Sequence, residues 1–251
     1  MTRLRVHYGP TPRCLPSNVA VLCNLRSLVL CGTSLQNLPE KICQLTNLQH
    51  LDISGNDFQW LPEGIGQLQM LTYLRLDDCR QLQSLPAGIS QLTNLQSLKV
   101  SLNPISYLPE GIGQLQKLTN LTACLCHRLE CLPDSISELS NLQTLSISGS
   151  DVIRQLPQRI GQLQKLVSLT ANRCRRLKFL PADITLLTNL QSLNISDTAI
   201  RQLPQGFDHL QKLTSLHAKG CKLLERSPSS ISQLSSLRSL DVCELTRGAT
   251  N

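Results

Sequence analysis

Leucine recurs along this chain in a single frame. Between positions 95 and 115 the periodic apolar residues are Leu95, Leu98, Val100, Ile105, Leu108, Ile112 and Leu115, with Asn103 among them and Pro109 after Leu108, a spacing of LxxLxLxxNxLxxLPxxIxxL. The frame restarts at Leu118 with one extra residue and with Cys126 in the place of Asn103. Its first leucine falls at Leu25, Leu48, Leu71, Leu95, Leu118, Leu142, Leu166, Leu190, Leu213 and Leu237, and every gap is 23 or 24 residues. Counting back from Leu25, Met1 takes the same place, with Leu4, Val6, Leu15-Pro16, Val19 and Leu22 in phase. A fixed period of this length is the mark of a solenoid, here of ten to eleven units of 23–24 residues.

Within a unit, LxxLxL alternates apolar and polar positions, which predicts a short strand with one buried face. Stacked strands form a parallel sheet. The LP step turns the chain, because proline lacks an N–H and holds the preceding residue extended. The return segment, PEGIGQLQKL in one copy, carries Ile and Leu three apart and predicts short 3₁₀ or helical turns on the far side, with its glycines keeping those turns short. One coil cannot cover its own apolar face, so each buries it against its neighbours. Residues 1–251 therefore read as one elongated α/β domain without a linker. Neither end carries a polar cap, and the terminal ELTRGATN is too short to form one, which predicts a fragment of a longer protein.

The phase also assigns the outward side chains. The third, fifth and seventh positions of LxxLxLx face away from the core, giving His50, Asp52 and Ser54, then Tyr73, Arg75 and Asp77, then Ser97, Lys99 and Ser101. Further along, the candidates for contact with a partner are Asn120, Thr122, Thr170, Asn172, Asn194, His217 and Lys219. The later coils display mostly small hydroxyl and amide groups, whereas Tyr73, Arg75 and Asp77 combine an aromatic ring with two opposite charges beside Lys99. Binding energy concentrates in Tyr, Trp and Arg, so the main anchor is expected in this N-terminal third.

Aromatic residues make up only 3% of the chain, which suits a leucine-filled stack better than a globular core. The opening MTRLRVHYGP lacks the apolar run of a signal peptide, and no segment approaches the roughly 20 apolar residues of a membrane span. A soluble, cytoplasmic protein is expected, with no membrane partner. The net charge of +7 raises the question of anionic partners. Arg80, His127, Arg128, Arg175, Arg176 and Lys222 follow the end of the strand in alternate coils and predict a basic flank, in which Arg128, Arg175 and Arg176 are the candidate contacts. Phe179 is the one aromatic residue interleaved with it, too few for base stacking, so an acidic protein surface is favoured over nucleic acid. Trp60, Tyr107 and Phe179 each precede the leucine of an LP step; they read as rings covering the rim of their own turns, or as a lateral binding strip.

Of the eleven cysteines, Cys79, Cys126, Cys174 and Cys221 are periodic, each in the inward position that Asn56, Asn103, Ser150 and Thr198 hold in the intervening coils. There Asn bonds the backbone of the bend, and Cys fills the same space as a small buried hydrophobe. Alternate coils stand about 9.5 Å apart, too far for a disulfide. CLCH at 124–127 resembles a metal cluster, but the phase sends Cys124 outward and Cys126 inward, so no metal is expected. The other cysteines share no position, and free thiols in a reducing compartment follow. The sequons at Asn120 and Asn194 then read as chance. The five histidines lie in different coils outside any nucleophile motif, and no phosphate-binding loop is present, so neither an enzyme nor a cofactor is expected.

The LPxxIxxLxxLxxL spacing resembles intracellular leucine-rich repeats. The alternation of a cysteine coil, as in LTSLHAKGCKLLERSP, with a shorter coil ending AIRQLP or PISYLP is similar to the leucine-rich-repeat effectors that plant-pathogenic bacteria inject into host cells, and next to the repeat region of plant nucleotide-binding immune receptors. The resemblance implies a curved leucine-rich-repeat solenoid with the sheet on its concave side, holding another protein. It implies target recognition by an effector in the host cytoplasm, or else ligand sensing by an immune receptor or substrate recognition for a ubiquitin ligase.

Overall fold

The computed structural model describes residues 2–7, 17–224 and 229–242. Among the described residues eleven strands lie side by side in chain order as one parallel sheet. They are β1 (Arg3–His7), β2 (Ser27–Cys31), β3 (His50–Asp52), β4 (Tyr73–Arg75), β5 (Ser97–Lys99), β6 (Asn120–Thr122), β7 (Thr144–Ser146), β8 (Ser168–Thr170), β9 (Ser192–Asn194), β10 (Ser215–Ala218) and β11 (Ser239–Val242). The second leucine of each unit pairs with its counterpart, as Leu74 does with Leu51 and Leu98. All three are fully buried. The sheet forms the concave side of a curved solenoid.

The return segments are 3₁₀ turns: η1 (Ser17–Val21), η2 (Glu40–Gln44), η3 (Glu63–Gln67), η4 (Ala87–Gln91), η5 (Glu110–Gln114), η6 (Asp134–Glu138), η7 (Ile160–Gln162), η8 (Ala182–Leu186), η9 (Phe207–His209) and η10 (Ser229–Gln233). The proline of the LP step stands immediately before η2 to η6 and η8, in extended conformation, and its carbonyl accepts the first turn bond, as Pro109 does from the Ile112 N–H at 3.0 Å. Between the two layers lies a continuous column of Leu and Ile, joined by the fully buried Phe58 and Phe207.

The glycines of these turns have a different role from the one expected. η6 contains no glycine and is as long as η3 and η5, five residues each. What Gly66, Gly113 and Gly161 permit is close approach: a Cβ on Gly113 would lie 2.5 Å from the Ser135 carbonyl oxygen of the next turn, and one on Gly161 would meet that of Asp183. The same seams are tied by amides. Gln116 Nε2 donates across the seam to the Glu138 carbonyl at 2.9 Å, and Asn141 Nδ2 donates back to the Gln116 carbonyl at 2.7 Å. Gln69 with Asn94 and Gln164 with Asn189 repeat this arrangement. The intervening seams instead carry the bonds of Lys117 to Asn94 and Lys165 to Asn141. The turns thus pack in pairs, η3 with η4, η5 with η6 and η7 with η8, and the two alternating sequence units are the two halves of a pair.

The inward position at the end of each strand behaves as its chemistry requires. Asn103 is 2% exposed; its Oδ1 accepts from the Cys79 N–H at 2.8 Å while Nδ2 donates to the carbonyls of Leu76 and Val100 at 2.9 and 2.7 Å. Asn56 does the same one pair earlier, accepting from the N–H groups of Thr33 and Leu35. The thiols keep only the donor: Cys126 Sγ donates to the Val100 carbonyl at 3.3 Å, and Cys174 to that of Ile147 at 3.3 Å. Burial pushes the thiols of Cys79, Cys126 and Cys174 up to about 12, 11 and 12 from an ordinary 9.0. Their raised values stabilise the fold fully below pH 9.0, and this contribution is lost as the pH rises through the folded values. Cys23 and Cys131 are exposed, and all nine cysteines among the described residues are free. We expect a bulky thiol reagent at neutral pH to label Cys23 and Cys131 rapidly, and to reach Cys79, Cys126, Cys174 and Cys221 only after denaturation. Rapid labelling of the periodic four in the folded state would remove their structural assignment. Cys14 and Cys243 lie outside the described residues.

Immediately before this position, every coil in which it is described passes through left-handed backbone. Gly32, Gly55, Gly149 and Gly220 take it readily, but Asp78, Leu102, Leu125, Arg173 and Asp197 hold it with φ of 56–62°. For an L-residue this costs roughly 1–2 kcal/mol, which the fixed bend imposes whatever side chain is present.

Candidate partner-binding surface

Parallel register converts the outward positions into two rows across the concave sheet. One runs His50, Tyr73, Ser97, Asn120, Thr144; the other Asp52, Arg75, Lys99, Thr122, Ser146. Strands are the reason: a side chain at the third position of one coil must stand beside the third position of the next.

The N-terminal third of this face is a connected cluster. The His50 and Tyr73 rings stack with centroids 4.3 Å apart and planes within 6°. From the strand on the other side, Lys99 Nζ lies 5.7 Å from the Tyr73 ring centroid. Burial lowers the pKa of His50, against the pull of Asp52, and favours the neutral ring in the stack. Arg75 reaches both neighbouring acids, with Nε 2.8 Å from Asp77 Oδ2 and Nη1 3.6 Å from Asp52 Oδ2. The hydrogen bond to Asp77 is the main cause of its raised pKa. Asp52 is only 7% exposed, since Ser54 donates to Oδ1 from Oγ at 2.6 Å and from its N–H at 3.1 Å. Asp77 Oδ1 accepts from the Ser101 N–H at 2.7 Å. The acids are therefore fixed parts of the sheet surface, and Tyr73, Arg75 and Lys99 are what it offers outward.

Two further cations belong here. Arg3 and Arg5 occupy the third and fifth positions of the first coil, in register through Ser27 and Val29 with His50 and Asp52, and both are exposed. The repeat phase contained this signal, since Met1 is in frame, yet the outward assignment began only at His50. With them the cluster holds four cations against two carboxylates.

The middle coils carry hydroxyl and amide groups that bond one another. Thr122 Oγ1 donates to Asn120 Oδ1 at 3.0 Å, Thr170 Oγ1 to Ser146 Oγ at 2.6 Å, and Ser148 Oγ to Asn172 Oδ1 at 2.7 Å. Cys124 faces this side against Ser146 while Cys126 is buried, so the two thiols of CLCH diverge. At the far end Asn194, His217 and Lys219 come together with Asp197 and Asp241 around a hollow of about 410 Å3. Arg128, Arg175 and Arg176 stand exposed on the flank, apart from this face. Their row is interrupted by carboxylates, Asp78 paired with Arg80 at 2.9 Å and Asp151 with His127 at 3.4 Å. Among the described residues no group of three or more His, Cys, Asp or Glu is placed to hold a metal ion, and no helix is long and apolar enough to cross a membrane.

A parallel sheet of short strands, each followed by an LP turn and a 3₁₀ return, defines a leucine-rich-repeat solenoid. The family comparisons agree. A model described as a leucine-rich repeat region matches residues 12–127, and one described as the leucine-rich repeats of RPS4B-like disease resistance proteins matches residues 114–218. The chain belongs to the leucine-rich-repeat proteins. It is similar to a leucine-rich-repeat protein of Leptospira interrogans, at 30% identity and a TM-score of 0.67 over 92% of this chain and 64% of that one. It is similar also to the leucine-rich repeat domain of the type III effector XopL, at 27% identity and a TM-score of 0.71 over 92% of this chain and 73% of that one. The repeats of TLR13, solved in complex with a single-stranded RNA, match at 29% identity and a TM-score of 0.65 over 88% of this chain and 33% of that one. The chain thus spans less than two thirds of the Leptospira protein. A search of curated proteins finds no match. Leucine-rich repeats are in general protein-interaction modules rather than enzymes.

Proposed function

We propose that this solenoid is the target-recognition module of an effector protein, acting in the cytoplasm of a host cell and holding an acidic partner protein on the N-terminal third of its concave face. The observation that carries this reading is the cluster in which Tyr73 stands between His50 and Lys99, with Arg75, Arg3 and Arg5 beside it. Tyr and Arg are the residues in which interface energy concentrates, and their neighbours already fix their geometry, so little side-chain entropy is lost on binding. The likeness to the XopL repeats supports the effector role. A protein partner is favoured over RNA because Phe179 remains the one aromatic ring among the flank arginines, and the concave cluster has one tyrosine, already stacked.

The test is affinity capture from plant-cell lysate with wild-type and variant chains side by side, followed by affinity measurement on the protein captured. Tyr73→Ala and Arg75→Ala should each weaken binding by about 1 kcal/mol or more with thermal stability kept. Reversing Arg175 and Arg176 to Glu should slow association and flatten its salt dependence, if the flank steers the same partner. Normal binding by both alanine variants, with loss in Thr170→Arg or Asn194→Arg, would move the site to the C-terminal half.

A second reading, the ligand-sensing repeats of an intracellular immune receptor, is favoured by the match of residues 114–218 to disease-resistance repeats. It requires a nucleotide-binding domain in the same polypeptide, which the sequence of the full transcript decides.

A further inference from the structure

Away from the concave face, on the flank where the chain leaves the sheet for the LP turn, three successive coils open a cleft of about 640 Å3. Its lining is Gln36 and Asn37 from the first, Asp57, Gln59 and Trp60 from the second and Gln81 from the third. Trp60 is the only tryptophan of the chain and is 59% exposed.

The four amides differ from those of the convex side. Gln69, Gln116, Gln164 and Gln211 are held by backbone carbonyls of two successive turns, and Asn47, Asn94, Asn141 and Asn189 each by one. Among the described residues, the side chains of Gln36, Asn37, Gln59, Gln81 and Asp57 make no hydrogen bond within the chain. An exposed aromatic ring is therefore bordered by four amides without hydrogen bonds inside the chain and by the Asp57 carboxylate, whose charge is felt by Arg80 just outside the lining.

From this we infer that the Trp60 cleft is a binding site for a neutral oligosaccharide. A pyranose ring offers an apolar face of C–H bonds, which stacks on an indole, and an edge of hydroxyls that both donate and accept. Amides do both in return, and a carboxylate takes the hydroxyl protons as a pure acceptor. The alternatives match less well. A phosphate, sulfate or acidic peptide finds no cation in the lining, only Arg80 beside it and already paired with Asp78, and meets Asp57. A polyproline segment has carbonyl acceptors but no N–H, so it leaves Asp57 without a donor. The volume falls within the roughly 300–1,000 Å3 of small-ligand sites.

Because Trp60 is the sole tryptophan, its emission reports on this site alone. Titration with cellohexaose, chitohexaose, xylohexaose and mannohexaose should give a saturable change in emission with at least one, and calorimetry should return the same affinity. With that sugar, Trp60→Ala should lower the affinity by roughly tenfold or more and Gln81→Ala by a smaller factor. Tyr107→Ala, which removes an equally exposed ring two coils away, should leave it unchanged. Trp60→Phe, which keeps a ring and the fold, should fall between. The inference is overturned if none of the four sugars perturbs Trp60 at millimolar concentration, if calorimetric binding survives Trp60→Ala, or if decaproline or a lysine-rich peptide saturates the emission change where the sugars do not.

Discussion

Replacing Asn103 with leucine should lower the unfolding free energy by about 3–5 kcal/mol, although the two side chains are close in size. Leucine would fill the space and leave the Cys79 N–H and the Leu76 carbonyl buried without a partner, and the Val100 carbonyl with the Cys126 thiol alone. Each such orphan costs about 1–3 kcal/mol. Asn103→Cys should cost less, because Cys126 shows that a thiol at this position can still donate to the preceding coil. Urea unfolding followed by circular dichroism gives both numbers. A leucine variant within about 1 kcal/mol of wild type would mean that the bends do not depend on this amide.

The second large effect is expected where nothing polar is lost. Gly113→Ala adds one methyl group, which in a short turn would ordinarily gain about 0.5–1 kcal/mol from reduced unfolded-state freedom. Here the Cβ would lie 2.5 Å from the Ser135 carbonyl oxygen and 3.0 Å from the Ser135 Cβ, so η5 and η6 must separate. A destabilisation of about 2–3 kcal/mol should result. Ser137→Ala makes the opposite case in the turn that faces Gly113: its hydroxyl is buried with no hydrogen-bond partner among the described residues, and its removal should raise stability, by up to about 1–3 kcal/mol. Were Gly113→Ala stabilising, the paired seam would be looser than its geometry indicates.

Both effects bear on what the sequence could reveal. The strands, their parallel order, the outward rows and the inward cysteines all follow from the period, because a repeat leaves each position one environment. Tyr73 and Lys99 fall on the outward face by phase alone. The stacking of Tyr73 on His50, the placing of Lys99 over the same ring and the two carboxylates held by Arg75 do not, since these contacts are properties of the stack. Leu102 and Leu125 in left-handed backbone carried no signal either: the bend forces that conformation, and the residue there ranges over Gly, Asp, Leu and Arg. The role of the glycines is hidden in the sequence for a related reason. Their effect is exerted on the following turn, some 20 residues on, where no local pattern points. The uncommitted amides around Trp60 were equally hidden, because Gln36 and Gln81 look like Gln69 and Gln116 until their partners are seen.

The pairing of the 3₁₀ turns limits how such a chain can change length. If residues 95–141 were lost together, η4 would meet η7, a junction of the same kind as the present one between η4 and η5, and Lys165 would find Asn94 where Lys117 now does. Loss of residues 118–141 alone would set η5 against η7, leave Gln116 without the Glu138 carbonyl and deprive its own carbonyl of Asn141. The array is therefore built to grow and shrink by twos, and the heritable module, the smallest piece that recombination can copy without leaving a mismatched junction, is the double coil.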